Sequence, residues 1–337
     1  MSAPLLAVRG VSVSLGRPAV PILREVDLTV RAGEIVGIVG ETGSGKTTLA
    51  RTVVGLVRPD TGSVEVEGTE ISSLGGKALR AHRRTGTVRF VFQDPLRSLD
   101  PDHDVETVIG EGLAVRGVPP AERAAKVRAA LELVGLDPEL LGRTPGQISG
   151  GQRQRVSIAR AIVCEPSLLI CDEPVSALDA SNRNHILRLL DDLRDRLGVG
   201  VVVISHDLSS LAGVADRVAV LYRGRIVEEG PIGEVFDDPR HPYTALLVAS
   251  APRVTGTARH PLHRLRAVST GATDGCVFAH RCPFATEACS VVPLPVVRDG
   301  RTAACHHTGT WPGQAGMSHS IDPPTEGARP WSSSSVS

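Results

Sequence analysis

Apolar and polar positions alternate along the first part of the chain. Further on, the apolar positions fuse into unbroken runs. That change marks where strands pass from one buried face to two. Residues 5–30 alternate, as at Leu6 and Val8 and again at Val26, Leu28 and Val30. They predict two strands around a turn at Gly16, Arg17 and Pro18. Residues 62–71 alternate again and predict a hairpin. Glu34–Val39, Phe90–Phe92, Ser167–Cys171 and Gly200–Ile204 are short apolar runs that predict buried strands. The period turns helical from about Val105 to Val134 and over His185–Leu197. The second helix lies between two apolar runs, which predicts a strand–helix–strand crossover and an α/β domain.

From about 236 the texture changes. Prolines and histidines accumulate, and four cysteines fall between 276 and 305. From about Thr308 the chain is rich in Gly, Pro and Ser, which predicts a disordered tail over 308–337.

Composition narrows the classes. The 337 residues leave room for one large domain and something smaller. Lys plus Arg and Asp plus Glu are 37 each, so no charge excess points to nucleic acid or to an anionic membrane. No stretch approaches the roughly 20 apolar residues that span a bilayer. The first residues lack the basic region of a signal peptide, so the chain is expected in the cytoplasm, where thiols stay reduced. The six cysteines then read as core fillers or metal ligands.

The densest chemistry lies at Gly40, Glu41, Thr42, Gly43, Ser44, Gly45, Lys46 and Thr47, which fit G-x-x-x-x-G-K-[ST]. An apolar run precedes them, and a helical pattern begins with Thr48. Glycines let successive N–H groups converge on a phosphate, and the helix adds its positive end. Lys46 suits the β- and γ-phosphates, and the Thr47 hydroxyl suits Mg²⁺. Asp172 and Glu173 end the apolar run at 168–171, where α/β sheets bind ligands. Asp172 suits Mg²⁺, and Glu173 suits the base that polarises water. Gln93 ends another apolar strand and is positioned to contact Mg²⁺ and water. His206 ends the run at 201–205, within reach of a γ-phosphate. Ser149, Gly150, Gly151 and Gln152 precede a helical run and form a capped helix start with exposed N–H groups.

Taken in order, Gly40–Thr47, Gln93, Ser149–Gln152, Leu168–Glu173, Ser176–Asp179 and Ser205–His206 resemble the ATP-binding subunit of ABC transporters over roughly residues 5–235. The resemblance implies a P-loop NTPase core over 1–235, with an antiparallel β subdomain and a helical signature subdomain at about 95–160. It implies ATP and Mg²⁺ as ligands. It also implies a head-to-tail pair of cassettes, identical or homologous, in which ATP lies between one phosphate loop and the partner's Ser149–Gln152. Gln93 would lead the loop that couples the site to the membrane partner, and Asp179 would line the dimer interface. Two positions depart conservatively from the family pattern, Ile148 for leucine and Thr47 for serine. A larger departure is that no aromatic residue occurs before Phe90. Leu15 takes the place of the ring that commonly stacks on adenine, and an aliphatic side chain buries a base without stacking.

His241–Thr244, Cys276, Cys282, Cys289 and Cys305 resemble the C-terminal region of the oligopeptide/dipeptide/nickel importer branch. Four cysteines in a reduced compartment suggest a metal site, and their wide spacing lacks the short pairs of zinc ribbons. A [4Fe–4S] cluster, zinc and unmetallated or partly oxidised thiols remain open, and the resemblance points to the cluster. His306 and His307 are alternative ligands or a solvated pair, while Cys164 and Cys171 read as core thiols. The expectation is an ATPase that powers peptide uptake through a separate permease, at the cytoplasmic face of the membrane. An extracytoplasmic binding protein would be an indirect partner. Nickel or another solute is the alternative. The distant rival is a soluble ATPase acting on DNA or ribosomes, against which stand the single cassette, the lack of heptads and the balanced charge.

Overall fold

A computed structural model describes residues 3–176, 178–250 and 274–311. The chain opens with β1 (Leu6–Leu15), β2 (Val20–Val30), β3 (Ile35–Val39), α1 (Lys46–Val53), β4 (Thr61–Val66) and β5 (Thr69–Glu70). Next come α2 (Gly76–Thr85), β6 (Val88–Val91), α3 (Pro95–Ser98), α4 (Val105–Val115), α5 (Pro120–Leu133) and α6 (Gly150–Ile162). Then follow β7 (Leu168–Asp172), α7 (Ala180–Leu197), β8 (Gly200–Ser205), β9 (Arg217–Tyr222) and β10 (Arg225–Pro231). The last elements are α8 (Ile232–Asp237), α9 (Pro242–Ser250), β11 (Val296–Arg298) and β12 (Arg301–Ala303).

The strands form two sheets. The alternating segments build an antiparallel sheet in the order β2-β1-β4-β5. The second sheet runs β11-β12-β10-β9-β3-β8-β7-β6, parallel from β9 through β6 and antiparallel beyond β9. Its central strands are buried at every residue because both faces are covered. Ile35, Val39, Leu169, Val201 and Val203 face a core shared with the helical subdomain. Val36, Ile38, Leu168, Ile170, Val202 and Ile204 face a second core, shared with the antiparallel sheet and α1. Burying each such side chain contributes about 1.5–3 kcal/mol.

Helices α3, α4, α6 and α7 begin where short polar side chains cap them. Asp104 accepts from the N–H of Thr107 at 2.8 Å to start α4. Asp179 accepts from Asn182 at 2.9 Å to start α7, five residues before the helical pattern is apparent in the sequence. Gly198, with φ 64°, closes it. Helices α3–α6 occupy the range expected for the helical subdomain.

The C-terminal extension is built into the same sheet. Strand β12 pairs with β10 at Glu228–Ala303 and Glu229–Thr302. Behind this pairing, the fully buried Glu228 accepts from the backbone N–H of Arg240 and of His241, each at 2.8 Å, and from Arg301 Nη2 at 2.8 Å. His241 is kept neutral, with burial pushing its imidazole down to about 3, and its Nδ1 accepts from the N–H of Tyr243 at 3.0 Å. The expected tail boundary moves. Residues 308–311 are ordered, and the fully buried Trp311 donates from its indole to the carbonyl of Arg240 at 2.8 Å. Residues 312–337 of the expected tail lie outside the described residues. Replacing Trp311 with alanine should destabilise the extension by about 3–5 kcal/mol, read by urea unfolding and by faster proteolysis beyond residue 240.

Candidate functional site

Between β3 and α1 the backbone turns tightly. A Cβ on Gly40 would lie 2.1 Å from the carbonyl oxygen of Leu221, so only glycine fits there. Gly45 has φ 110° and precedes α1 without a side-chain cap, which leaves the N–H groups of the first turn facing outward. Glu41, Thr42 and Gly43 are exposed, while Thr47 and Thr48 are half-buried on the first turn. The hydroxyl of Ser44 is buried and has no hydrogen-bond partner among the described residues. Lys46 is buried, and its Nζ donates to the carbonyls of Gly40 at 2.7 Å and Glu41 at 3.0 Å. Burial lowers its pKa, opposed by the carboxylates of Glu173, Asp172 and Glu41. A phosphate fits this cradle: outward N–H groups, an orphaned hydroxyl and an ammonium held at its edge.

The carboxylates stand beside that cradle. Burial pushes the Asp172 carboxyl up, while a hydrogen bond from Thr47 pulls it down, so two of the three expected Mg²⁺ ligands touch. Glu173 adopts φ 47°, a left-handed conformation uncommon outside glycine, fixed by its N–H donating to Ile204 O at 3.0 Å. Its carboxylate accepts from Gln93 Nε2 at 2.8 Å and lies 3.4 Å from His206 Nδ1. Three side chains from β7, the end of β6 and the end of β8 therefore meet at one carboxylate. This arrangement can hold a water against a phosphate while Gln93 and His206 fix the orientation of Glu173.

Ser149 starts α6 with a reciprocal capping box. Its Oγ accepts from Gln152 N–H at 3.2 Å, and Gln152 Oε1 accepts from Ser149 N–H at 2.8 Å. That leaves the Ser149 hydroxyl proton free to donate. Ser149, Gly150, Gly151 and Gln152 line an open cavity of about 540 Å³ with Asp179 and Asn182, and none of residues 40–48 reaches it. The two clusters are therefore separate within one chain. Asn182 was not foreseen; its amide donates to Asp179 at 2.9 Å, and nothing in the sequence pattern sets it apart.

The four distal cysteines fall in one region. No disulfide joins any of the six cysteines, and Cys164 and Cys171 are buried in the core. Cys276 N–H donates to Cys289 O at 2.9 Å. Burial, aided by the neighbouring thiols, pushes Cys282 up to about 12 and Cys305 up to about 11. Burial also raises Cys276. Among the described residues, no three His, Cys, Asp or Glu side chains close around a single ion. The histidine pair divides. His306 is exposed and bonds Val291 O at 2.9 Å, while His307 is half-buried, 2.9 Å from Thr286 Oγ1 and 3.7 Å from Cys289 Sγ.

The clasp around Glu173 gives a direct test. Glu173→Gln should lower ATP turnover by at least about 10²-fold while nucleotide binding persists, and Lys46→Ala should abolish binding, both read by phosphate release and equilibrium titration.

Comparison with known proteins identifies the family and the fold. The ABC transporter family model matches residues 23–176, and the model for the oligopeptide/dipeptide transporter C-terminal region matches residues 227–289. A putative peptide import ATP-binding protein of Brucella ovis is 41% identical over 310 residues, 90% of this chain and 97% of that protein. A probable peptide ABC transporter ATP-binding protein of Sinorhizobium fredii is 44% identical over 298 residues, 86% of this chain and 83% of that one. Among solved structures, a dimeric ATP-binding cassette in a post-hydrolysis state with ADP and Pi aligns with TM-score 0.61 and 29% identity, over 67% of this chain and 98% of that chain. The cbiO1 protein of Clostridium perfringens, part of an ABC transporter complex, aligns with TM-score 0.65 and 27% identity, over 73% of this chain and 94% of that one. No helix among the described residues is long and apolar enough to cross a membrane. The chain belongs to the ATP-binding subunits of ABC transporters, and it is an ATPase.

Proposed function

We propose that this chain hydrolyses ATP to drive uptake of di- and oligopeptides through a separate membrane permease, at the cytoplasmic face of the membrane. The observation that carries the chemistry is the Glu173 carboxylate, gripped by Gln93 and His206 beside Lys46. The peptide reading rests on relatives whose names specify peptide import and on the matched C-terminal region.

In this reading the N–H groups of residues 40–48 and Lys46 hold the phosphates. Thr47, Asp172 and Gln93 would hold Mg²⁺, which would supply neutralisation of phosphate charge. Glu173 polarises the attacking water, and His206 contacts the γ-phosphate. Ser149–Gln152 of a second cassette, a copy or a paralogue, close over the triphosphate, with Asp179 along the seam. ATP then joins two half-sites and hydrolysis releases them. Leu15, 41% exposed, pairs across the first hairpin with Val20, 52% exposed, and these two offer an aliphatic face to the adenine.

The permease is assigned to a cleft of about 440 Å³ lined by the exposed Leu56, Phe92 and Val115, with Arg84, Arg89 and Arg160 around them. Phe92 adjoins Gln93, so an occupant of this cleft bears on the residue that grips Glu173.

The cysteines are assigned to a [4Fe–4S] cluster. One tetrahedral ion would gather sulfurs to about 3.8 Å of one another, given metal–sulfur bonds of about 2.3 Å. A cluster anchors each thiolate on a different iron and spreads them further. Cys276, Cys282 and Cys305 are raised by burial and by neighbouring thiols, so the cysteines share one desolvated region. Bound to iron, they would be thiolates, and the group would brace the extension.

Uptake tests the solute. In cells whose only copy carries Glu173→Gln, labelled di- and oligopeptide uptake should fall to background while nickel uptake continues. Loss of nickel uptake alone would assign the chain to metal import, and loss of neither would refute both solutes and reopen the solute class and the non-transport rival. Anaerobically purified protein should carry about four iron and four acid-labile sulfide per chain. Stoichiometric zinc, or protein without either metal, would overturn the cluster.

A further inference from the structure

Glu41 has each of its polar groups engaged, and two of its partners come from the far end of the chain. Its carbonyl accepts from Lys46 Nζ at 3.0 Å. Its N–H donates to Tyr243 Oη at 2.9 Å. Its carboxylate accepts from Nη1 of Arg281 at both oxygens, 2.9 and 2.8 Å. Tyr243 lies on α9 and Arg281 lies one residue before Cys282, so the second residue of the phosphate loop is held from 202 and 240 residues away.

The clamp is pre-organised. Tyr243 and Phe278 are buried, and their rings pack on Tyr222, the last residue of β9, with centroids 4.4 and 5.3 Å away. The Arg281 guanidinium lies 5.8 Å from the ring centres of both Tyr222 and Phe278, which restricts its directions. A one-turn helix over Ala279–Arg281 sets its backbone, with Arg281 N–H donating to Phe278 O at 2.9 Å.

Glu41 needs such a partner. A phosphate loop concentrates positive potential from N–H groups and a lysine. A carboxylate at its second position works against that potential and repels the triphosphate. Arg281 cancels this charge, and Tyr243 orients the Glu41 peptide while the loop is empty, so less ordering is left for the nucleotide to impose. We propose that Arg281 and Tyr243 of the C-terminal extension are positioning residues of the nucleotide site, which set its ATP affinity through Glu41. This rests on reading residues 40–48 as the triphosphate cradle.

The test is equilibrium titration of the full chain with Mg²⁺ and a fluorescent N-methylanthraniloyl ATP, in a Glu173→Gln background that suppresses turnover. Arg281→Gln should raise the dissociation constant about three- to tenfold, the scale of one lost charge-assisted contact. Arg281→Lys should recover part of the loss. Glu41→Gln added to Arg281→Gln should restore most of the affinity, because the repelling carboxylate is then gone. Tyr243→Phe should weaken binding about two- to fivefold with an unchanged circular dichroism spectrum. An unchanged dissociation constant in Arg281→Gln would overturn the proposal. So would a loss that Glu41→Gln does not relieve, since it would mark general damage rather than charge. No binding by the parent would remove the cradle itself and the proposal with it.

Discussion

The parallel register of β3, β8 and β7 is the constraint on which the site depends. Val39 stands beside Ser205, and Asp172 beside Ile204, so three strands end along one edge. Everything reactive hangs from those ends. The loop to α1 leaves Val39, Asp172 and Glu173 leave β7, and His206 follows Ser205. Gln93 follows β6, the next strand out. A one-residue slip would exchange the two apolar faces and bury the wrong set of residues, so burial on both sides holds the register fast. Glu173 bears the local consequence. To turn its carboxylate back toward Gln93 and His206 it accepts a left-handed backbone, at a cost of about 1–2 kcal/mol.

Much of this was legible in the sequence because the signals were local. The glycine loop, the apolar runs at Ser167–Cys171 and Gly200–Ile204, and the Ser149 cap each announce themselves within a few residues. Positions at strand ends then predict convergence, and Gln93, Glu173 and His206 do converge. What stayed hidden was long-range. Strand β12 is three residues, Arg301–Ala303, too short and too polar to show a period. Trp311 sits in a stretch whose composition reads as disorder, yet one buried ring with a hydrogen-bonded indole anchors it. Composition averages over a segment, whereas anchoring is the work of single side chains. The contacts of Arg281 with Glu41 span most of the chain and leave no mark in any window.

Separation of the half-sites follows from the same architecture. The capping box ties Ser149 and Gln152 to the start of α6, and Asp179 and Asn182 line the same cavity. The phosphate cradle hangs from β3 and lines no part of that cavity. The start of α6 leaves the Ser149 hydroxyl proton and the N–H groups of Gly150 and Gly151 as donors with no intrahelical acceptor. In the proposed pair of cassettes, their desolvation on closure would be compensated only by a triphosphate, so closure without nucleotide would be unfavourable.

The buried pair of Glu228 and Arg301 explains why the extension is more than an appendage. Both side chains are almost wholly withdrawn from water, and Glu228 also receives two backbone N–H groups from the start of α9. Removing one member of such a pair strands the other and costs about 3–5 kcal/mol, far more than a surface ion pair contributes. Strand β12 therefore docks on β10 in one register, which fixes α9 and with it Tyr243. Tyr222 ends the neighbouring strand β9 and receives Tyr243 and Phe278 on its ring. From Arg301 to Glu41, each step is a buried ion pair, a strand pairing, a packed ring or a short hydrogen bond. These contacts tie the extension and the phosphate loop into one packed unit. The cysteine-bearing segment and the phosphate loop therefore share one scaffold.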